Sequence, residues 1–151
     1  MKTNWNERFI DLTKYISKWS KDRSTGTCAI IADDDNNIVS TGINGFPRGA
    51  DDDIESRHER PDKYLYTEHA ERNAIYSAAK RGASTNGCTM YLMWFPCAPC
   101  ARAIIQCGIK RLVCYKPDMN NKKWGEDFKV ALDLLEEQEG KGRISIEYLK
   151  Q

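Results

Sequence analysis

Two short segments, His69-Ala70-Glu71 and Pro96-Cys97-Ala98-Pro99-Cys100, limit what this chain can fold into more than anything else in its 151 residues. Cys97 and Cys100 stand three apart where a helix begins, so both sulfurs project from one face of its first turn. Pro96 and Pro99 suit that turn, because the first helical N–H groups have no partner within the helix to lose. Those free N–H groups, with the positive end of the helix dipole, stabilise thiolates, the form of cysteine that binds metal. The run Thr89 to Phe95 reads as a strand leading into this helix, which spans Ala98 to Cys107 and stops at Gly108; Leu112 to Tyr115 reads as the next strand. Strand, helix, strand is a unit of parallel type, and any third ligand must reach its cysteines from another element.

His69 is the candidate for that ligand. One imidazole with two thiolates neutralises Zn²⁺ and leaves a fourth tetrahedral position for water, the arrangement of a catalytic site and not of a closed structural one. His69 and Glu71 are two apart and would point to different sides of a regular helix, so they belong at a helix entrance, where one serves a metal and the other a substrate. Thr67, just upstream, is the expected cap. Zinc brings the pKa of its water to about 7, and an unligated Glu71 can accept that proton and pass it on. Two plainer readings compete. Cys97 and Cys100 can form a redox pair, or half of a structural zinc site. The prolines and the separate His-x-Glu speak against the first, and the lack of a second Cys pair or Cys-His pair speaks against the second.

Around this centre the periodicity predicts the remaining elements. Phe9, Leu12, Ile16 and Trp19 recur at helical spacing, giving an amphipathic helix from about Asn6 to Ser20. Thr27 to Ala32 and Ile38 to Ile43 flank Asp33-Asp34-Asp35-Asn36-Asn37 as a hairpin. Asn44 to Tyr66 is polar and without period, a candidate binding loop. A helix runs from His69 to about Lys80 and stops at Gly82; another runs from Glu126 to Glu139 and stops at Gly140; Ile144, Ile146 and Tyr148 alternate in a terminal strand. Together these make one domain over residues 1–151, with a mixed sheet of about five strands flanked by helices, an α/β layered fold.

Charge and cysteine usage narrow the function. The 23 basic residues nearly cancel the 22 acidic ones and come as scattered pairs such as Lys80-Arg81, Lys110-Arg111 and Lys122-Lys123, which speaks against a long nucleic acid as partner. The segment from Met1 to Glu7 lacks the apolar core of a signal peptide and no later run approaches membrane-spanning length, so a cytoplasmic protein without a membrane partner is expected. The six cysteines then read as ligands and buried thiols. Cys28 and Cys114 lie in apolar runs as core thiols, while Cys88 and Cys107 flank elements.

On these segments the sequence resembles the cytidine deaminase superfamily, and within it the deoxycytidylate branch. The likeness extends over Thr41-Gly42-Ile43-Asn44-Gly45-Phe46-Pro47-Arg48-Gly49, over His69-Ala70-Glu71-Arg72-Asn73-Ala74-Ile75, and from Thr89-Met90-Tyr91 through Phe95-Pro96-Cys97 to Ile109; it is strongest from Gly26 to Tyr115. The resemblance implies a three-layer αβα fold and one Zn²⁺ per subunit on His69, Cys97 and Cys100. It implies Glu71 as catalytic proton shuttle in the hydrolytic deamination of dCMP to dUMP and ammonia, feeding thymidylate synthesis. It implies that Asn44 bonds the sugar hydroxyl and that backbone at Ala70 and around Phe95 reads the cytosine edge. Arg23 is the candidate for the 5′-phosphate, with helix-end capping as its other reading. Tyr115 either lines the same pocket or packs at its strand end. The resemblance further implies a homo-oligomer, a hexamer favoured, activated by dCTP and inhibited by dTTP. Arg48 either contacts such a triphosphate or is a solvated turn residue. Some relatives hold a second, structural zinc near residues 51–61; here only His58 is offered, so a surface His58 and a single zinc are expected. Deamination of dCTP, of another free nucleotide or nucleobase, or of adenosine in transfer RNA is the rival activity. A non-catalytic nucleotide sensor is the rival class, which would not require Glu71 and all three ligands intact.

Overall fold

The computed structural model describes residues 4–150; residues 1–3, which open the segment read above for a leader, and residue 151 lie outside the described residues. Helix α1 (Trp5–Ser17) starts where the Asn4 side chain accepts the Glu7 N–H, and it buries Phe9, Ile10, Thr13 and Ile16. Strands β1 (Cys28–Ala32) and β2 (Ile38–Ile43) form the expected hairpin. Its turn is held by Asp33 Oδ1, which accepts the N–H groups of Asp35 at 3.0 Å and Asn37 at 2.8 Å. After a 3₁₀ turn (Glu55–His58) come α2 (Lys63–Tyr66), α3 (Ala70–Lys80), β3 (Thr89–Leu92), α4 (Ala98–Gln106), β4 (Arg111–Cys114), α5 (Gly125–Gly140) and β5 (Ser145–Tyr148). Among the described residues no helix is long and apolar enough to cross a membrane.

The five strands lie in the order β2-β1-β3-β4-β5, with β1 antiparallel to both neighbours and β3, β4 and β5 parallel. Every residue of β1 and β3 is buried because helices cover both faces of the sheet. The strand period of two sorts the side chains: Ala29, Ile31, Met90, Leu92 and Leu112 meet α3, α4 and α5, whereas Cys28, Ile30, Ala32, Tyr91 and Val113 meet α1. This is the expected three-layer αβα arrangement, with α1 alone on one side. Cys28 and Cys114 are core thiols as expected, and burial pushes each up to about 12.

Several boundaries differ from the sequence reading. Helix α1 ends at Ser17 and not near Ser20, so Trp19 leaves the buried face and is 61% exposed. The chain turns there because Ser20 Oγ donates to the Asn44 carbonyl at 2.8 Å, tying the segment to the end of β2. Strand β3 stops at Leu92, three residues before Phe95. Helix α5 runs through Gly140, and it is Gly142, at φ 68°, that supplies the left-handed turn beyond its end. The polar stretch from Asn44 to Tyr66 holds the 3₁₀ turn and α2, pinned by charged contacts that carry no periodic signal.

Candidate metal centre and active site

His69, Cys97 and Cys100 converge. Their donor atoms all lie within 4.8 Å of one another, the one such cluster among the described residues. His69 Nδ1 is 3.4 Å from Cys97 Sγ and 3.5 Å from Cys100 Sγ. Zinc bonds of about 2.0–2.1 Å to nitrogen and about 2.3 Å to sulfur, set at tetrahedral angles, put such donors about 3.5 Å apart. The three side chains therefore fit one Zn²⁺ per subunit, with three protein ligands and a fourth position open.

Local folding explains the convergence. Cys97 is the N-cap of α4 and Cys100 sits in its first turn, with Pro99 between them. The Ala98 N–H, which has no acceptor inside the helix, donates to Asp127 Oδ1 of α5 at 3.1 Å, so a neighbouring helix fixes the cysteine turn. His69 is the N-cap of α3, its backbone extended at φ −79° and ψ 153°. Thr67 is thus not the cap, and the His69 ring goes to the cysteines and not to the helix end. The ring also meets the edge of Trp124, with centroids 5.8 Å apart and planes at 79°.

A guanidinium lies behind the ligands. Arg72 Nη1 is 3.6 Å from Cys100 Sγ, and its Nε donates to Glu68 Oε1, the same oxygen that accepts the His69 N–H at 3.1 Å. Glu68 and Arg72 hold the histidine backbone and one sulfur in a single network. A hydrogen bond from Cys100, opposed by burial and helped by His69, pulls the Cys97 thiol well below the usual range; sharing of that proton, burial and the Glu71 charge push Cys100 up. Glu71 Oε2 stands 3.6 Å from Cys100 Sγ, outside the donor cluster, and burial raises its pKa against the pull of His69. A buried carboxyl that holds a proton more tightly than an exposed one suits a group that must both take and give protons.

His69, Glu71 and Cys97 open into a cavity of about 770 Å³, within the range of small-molecule sites. It lies past the carboxyl ends of β3 and β4, lined by Leu92, Met93, Trp94, Tyr115 and Lys116. His69, Ala70, Glu71, Phe95, Asn44 and Tyr115, all named from sequence, are brought together here. Tyr115 also packs beside the α1 core, so both of its readings describe its place. Asn44 is 9% exposed; its Oδ1 accepts the Thr27 N–H at 2.8 Å and its Nδ2 donates to the Thr25 carbonyl at 2.9 Å, leaving one hydrogen and one lone pair free.

Arg23 and Arg48 are not brought to this cavity. Arg23 forms an exposed bidentate pair with Glu55, and both arginines line a separate, smaller cavity of about 440 Å³. His58, expected at the surface, is partly exposed on the margin of the smaller cavity. Its ring is partly buried, 4.8 Å from the Phe46 ring, and its Nε2 is 2.6 Å from the Asp52 carbonyl oxygen. Sequence reasoning also missed Asp127, Trp124, Glu68 and Arg72. Arg72 alone had a signal, one helical turn after Glu68.

Residues 3–116 match the family described as the cytidine and deoxycytidylate deaminase zinc-binding region. The chain belongs to this family. It is 39% identical over 138 residues to an uncharacterized deaminase of the luxG 3′ region in Aliivibrio fischeri, with 89% of each chain covered. It is 40% identical over 136 residues to the deoxycytidylate deaminase of Mus musculus, covering 87% of this chain and 73% of that one. In fold it is similar to the dCMP deaminase of cyanophage S-TIM5, solved in complex with dCMP and dUMP, with a TM-score of 0.74 over 99% of both chains at 22% identity.

Proposed function

We propose that this protein is a zinc-dependent deoxycytidylate deaminase, converting dCMP and water to dUMP and ammonia, with residues 1–151 acting as one catalytic domain. The observation that carries the reading is the donor triangle, with edges of 3.4 and 3.5 Å from His69 Nδ1, beside the Glu71 carboxyl, which lies outside the donor cluster. Zinc, when bound there, supplies an acidified water as nucleophile. Glu71 takes that proton and gives it to the ring N3 as C4 is attacked; it then takes the proton of the new C4 hydroxyl and gives it to the exocyclic amino group, so that the C4–N bond breaks, ammonia leaves and C4 becomes a carbonyl. Backbone at Ala70 and around Phe95 reads the cytosine edge, Asn44 offers its free hydrogen or lone pair to the sugar hydroxyl, and Tyr115 bounds the ring. The 5′-phosphate falls to cations on this cavity's own wall, Lys116, Lys123 and Arg60, in place of Arg23.

The same reading makes the protein a regulated homo-oligomer, a hexamer favoured, in the cytoplasm. The smaller cavity, with Lys21, Arg23 and Arg48 on its margin, takes dCTP as activator and dTTP as inhibitor. An ultraviolet assay over dCMP, CMP, cytidine and dCTP tests the substrate. The fastest turnover is expected with dCMP, and preference for dCTP or cytidine contradicts the proposal. Glu71→Ala should keep its zinc while turnover falls by about 100-fold or more, the contribution of a positioned acid and base; metal loss with activity kept would reverse the roles.

A further inference from the structure

The two cavities share a wall. Asp22, Asn44, Lys63 and Thr67 line both the cavity beside Glu71 and the smaller one beside Arg48. In that wall sits the most enclosed ion pair among the described residues. Lys63 Nζ lies 3.2 Å from Asp22 Oδ1 with side chains 10% and 8% exposed, whereas both partners of every other pair are at least 20% exposed.

This pair organises the turn that follows it. Asp22 Oδ1 also accepts the N–H groups of Ser24 at 2.9 Å and Thr25 at 3.0 Å, and Lys63 Nζ donates to Ser24 Oγ at 3.2 Å. Thr25 passes the constraint on, since its carbonyl accepts Asn44 Nδ2 at 2.9 Å while the Thr27 N–H holds Asn44 Oδ1 at 2.8 Å. A continuous set of bonds thus runs from Lys63 through Asp22 and residues 24–27 to Asn44. A buried ammonium must have a partner, because its removal from water is costly. Lys63 faces two. One is Asp22; the other is any anion brought into the smaller cavity by Arg48, with Lys21 and Arg23 joining once released from Asp52 and Glu55.

We infer that the Asp22–Lys63 pair is a two-position coupling element that transmits nucleoside triphosphate binding in the smaller cavity to the substrate cavity. This rests on the reading of the smaller cavity as a nucleotide site. When a triphosphate takes Lys63, Asp22 loses its cation, the 22–25 turn relaxes and Asn44 changes position at the substrate. Lys63 is a positioning residue, acting through Asp22 and Asn44. Binding at the two cavities is then linked through whichever partner Lys63 holds.

The zinc-loaded enzyme tests this with dCTP as the probe. Its binding is followed by calorimetry, and KM for dCMP is measured with and without saturating dCTP. The native enzyme should show a KM change of at least about fivefold, the lower range of linked sites. Asp22→Asn frees Lys63 for the anion. It should bind dCTP more tightly, and its KM without dCTP should match, within about twofold, the value the native enzyme reaches with dCTP. An Asp22→Asn enzyme whose KM still responds to dCTP as fully as the native one overturns the coupling and leaves the nucleotide site standing. If dCTP does not bind, or binds Arg48→Ala as well as the native enzyme, the nucleotide site itself is refuted and the coupling falls with it. Should Asp22→Asn fail to fold, the charge-neutral Asp22→Asn/Lys63→Met variant, which leaves no orphan ion, carries the same KM comparison at raised dCTP.

Discussion

Gly42 lies in β2 directly beneath α3, and its missing side chain is what lets that helix rest on the sheet. A Cβ built on Gly42 would stand 2.2 Å from the Ala74 nitrogen, 2.3 Å from the Ala70 carbonyl oxygen and 2.8 Å from the Asn73 carbonyl carbon. Favourable contacts begin near about 3.5 Å, so Gly42→Ala must part helix and strand by more than about 1 Å. All three neighbours are backbone, and no side chain can rotate away. Overpacking of a core costs about 1–3 kcal/mol, and contacts this short place the cost near the upper end, about 3 kcal/mol. The displaced helix carries Glu71 in its first turn and His69 at its cap, and a displacement of about 1 Å at reacting groups costs about 100-fold in rate. The variant should therefore unfold at lower urea with an unchanged slope. Its kcat/KM should fall about 100-fold at a temperature where it remains folded. A Gly42→Ala protein with native midpoint and native turnover refutes the packing argument; lost stability with full turnover refutes the link from the helix to the site.

Other perturbations have defined outcomes. Removing the guanidinium behind Cys100 with Arg72→Ala should weaken zinc binding about 10–100-fold in a chelator competition, the usual cost of losing a group that orients a ligand; unchanged affinity would take Arg72 out of the site. Because burial raises Cys28 and Cys114 from 9.0 to about 12, both thiols are neutral in folded and unfolded chains below pH 9 and stability is intact there. Above pH 9 the unfolded chain ionises first, so stability drains away as pH approaches about 12, by up to about 4 kcal/mol per thiol at about 1.4 kcal/mol per pH unit. Denaturation between pH 9 and 11 should show this slope, and Cys28→Ala/Cys114→Ala should flatten it; an equally steep variant contradicts the assignment. Arg23→Ala should leave the ratio of rates on dCMP and deoxycytidine within about twofold, since Arg23 occupies an exposed pair with Glu55. A selective loss on dCMP would return Arg23 to the phosphate.

The fold was legible wherever periodicity reports burial. In β2 the expected ends, Ile38 and Ile43, are the observed ones, and α3 starts one residue after the expected His69. The alternation of Cys28, Ile30 and Ala32 with Ala29 and Ile31 is invisible as a pattern because both faces are covered, yet the unbroken apolar run marks a central strand. The convergence of His69, Cys97 and Cys100 was legible because metal chemistry constrains both residue type and spacing. What escaped depends on contacts between segments far apart in sequence. Asp127 caps a helix that begins 29 residues earlier, and Lys63 pairs with Asp22 across 41 residues. Arg23 shows the same limit from the other side. An arginine in a loop has the right chemistry for phosphate, but its position was settled by Glu55, 32 residues away.

The proposed chemistry depends on the donors around one metal. X-ray absorption at the zinc edge of the purified, active protein, with metal counted per chain, reads them directly. The expected result is one zinc per subunit with two sulfur scatterers at about 2.3 Å and two lighter ones, one imidazole nitrogen and one oxygen, near about 2.0–2.1 Å. A third sulfur, a second imidazole in the fourth position, or full activity without a transition metal would contradict it.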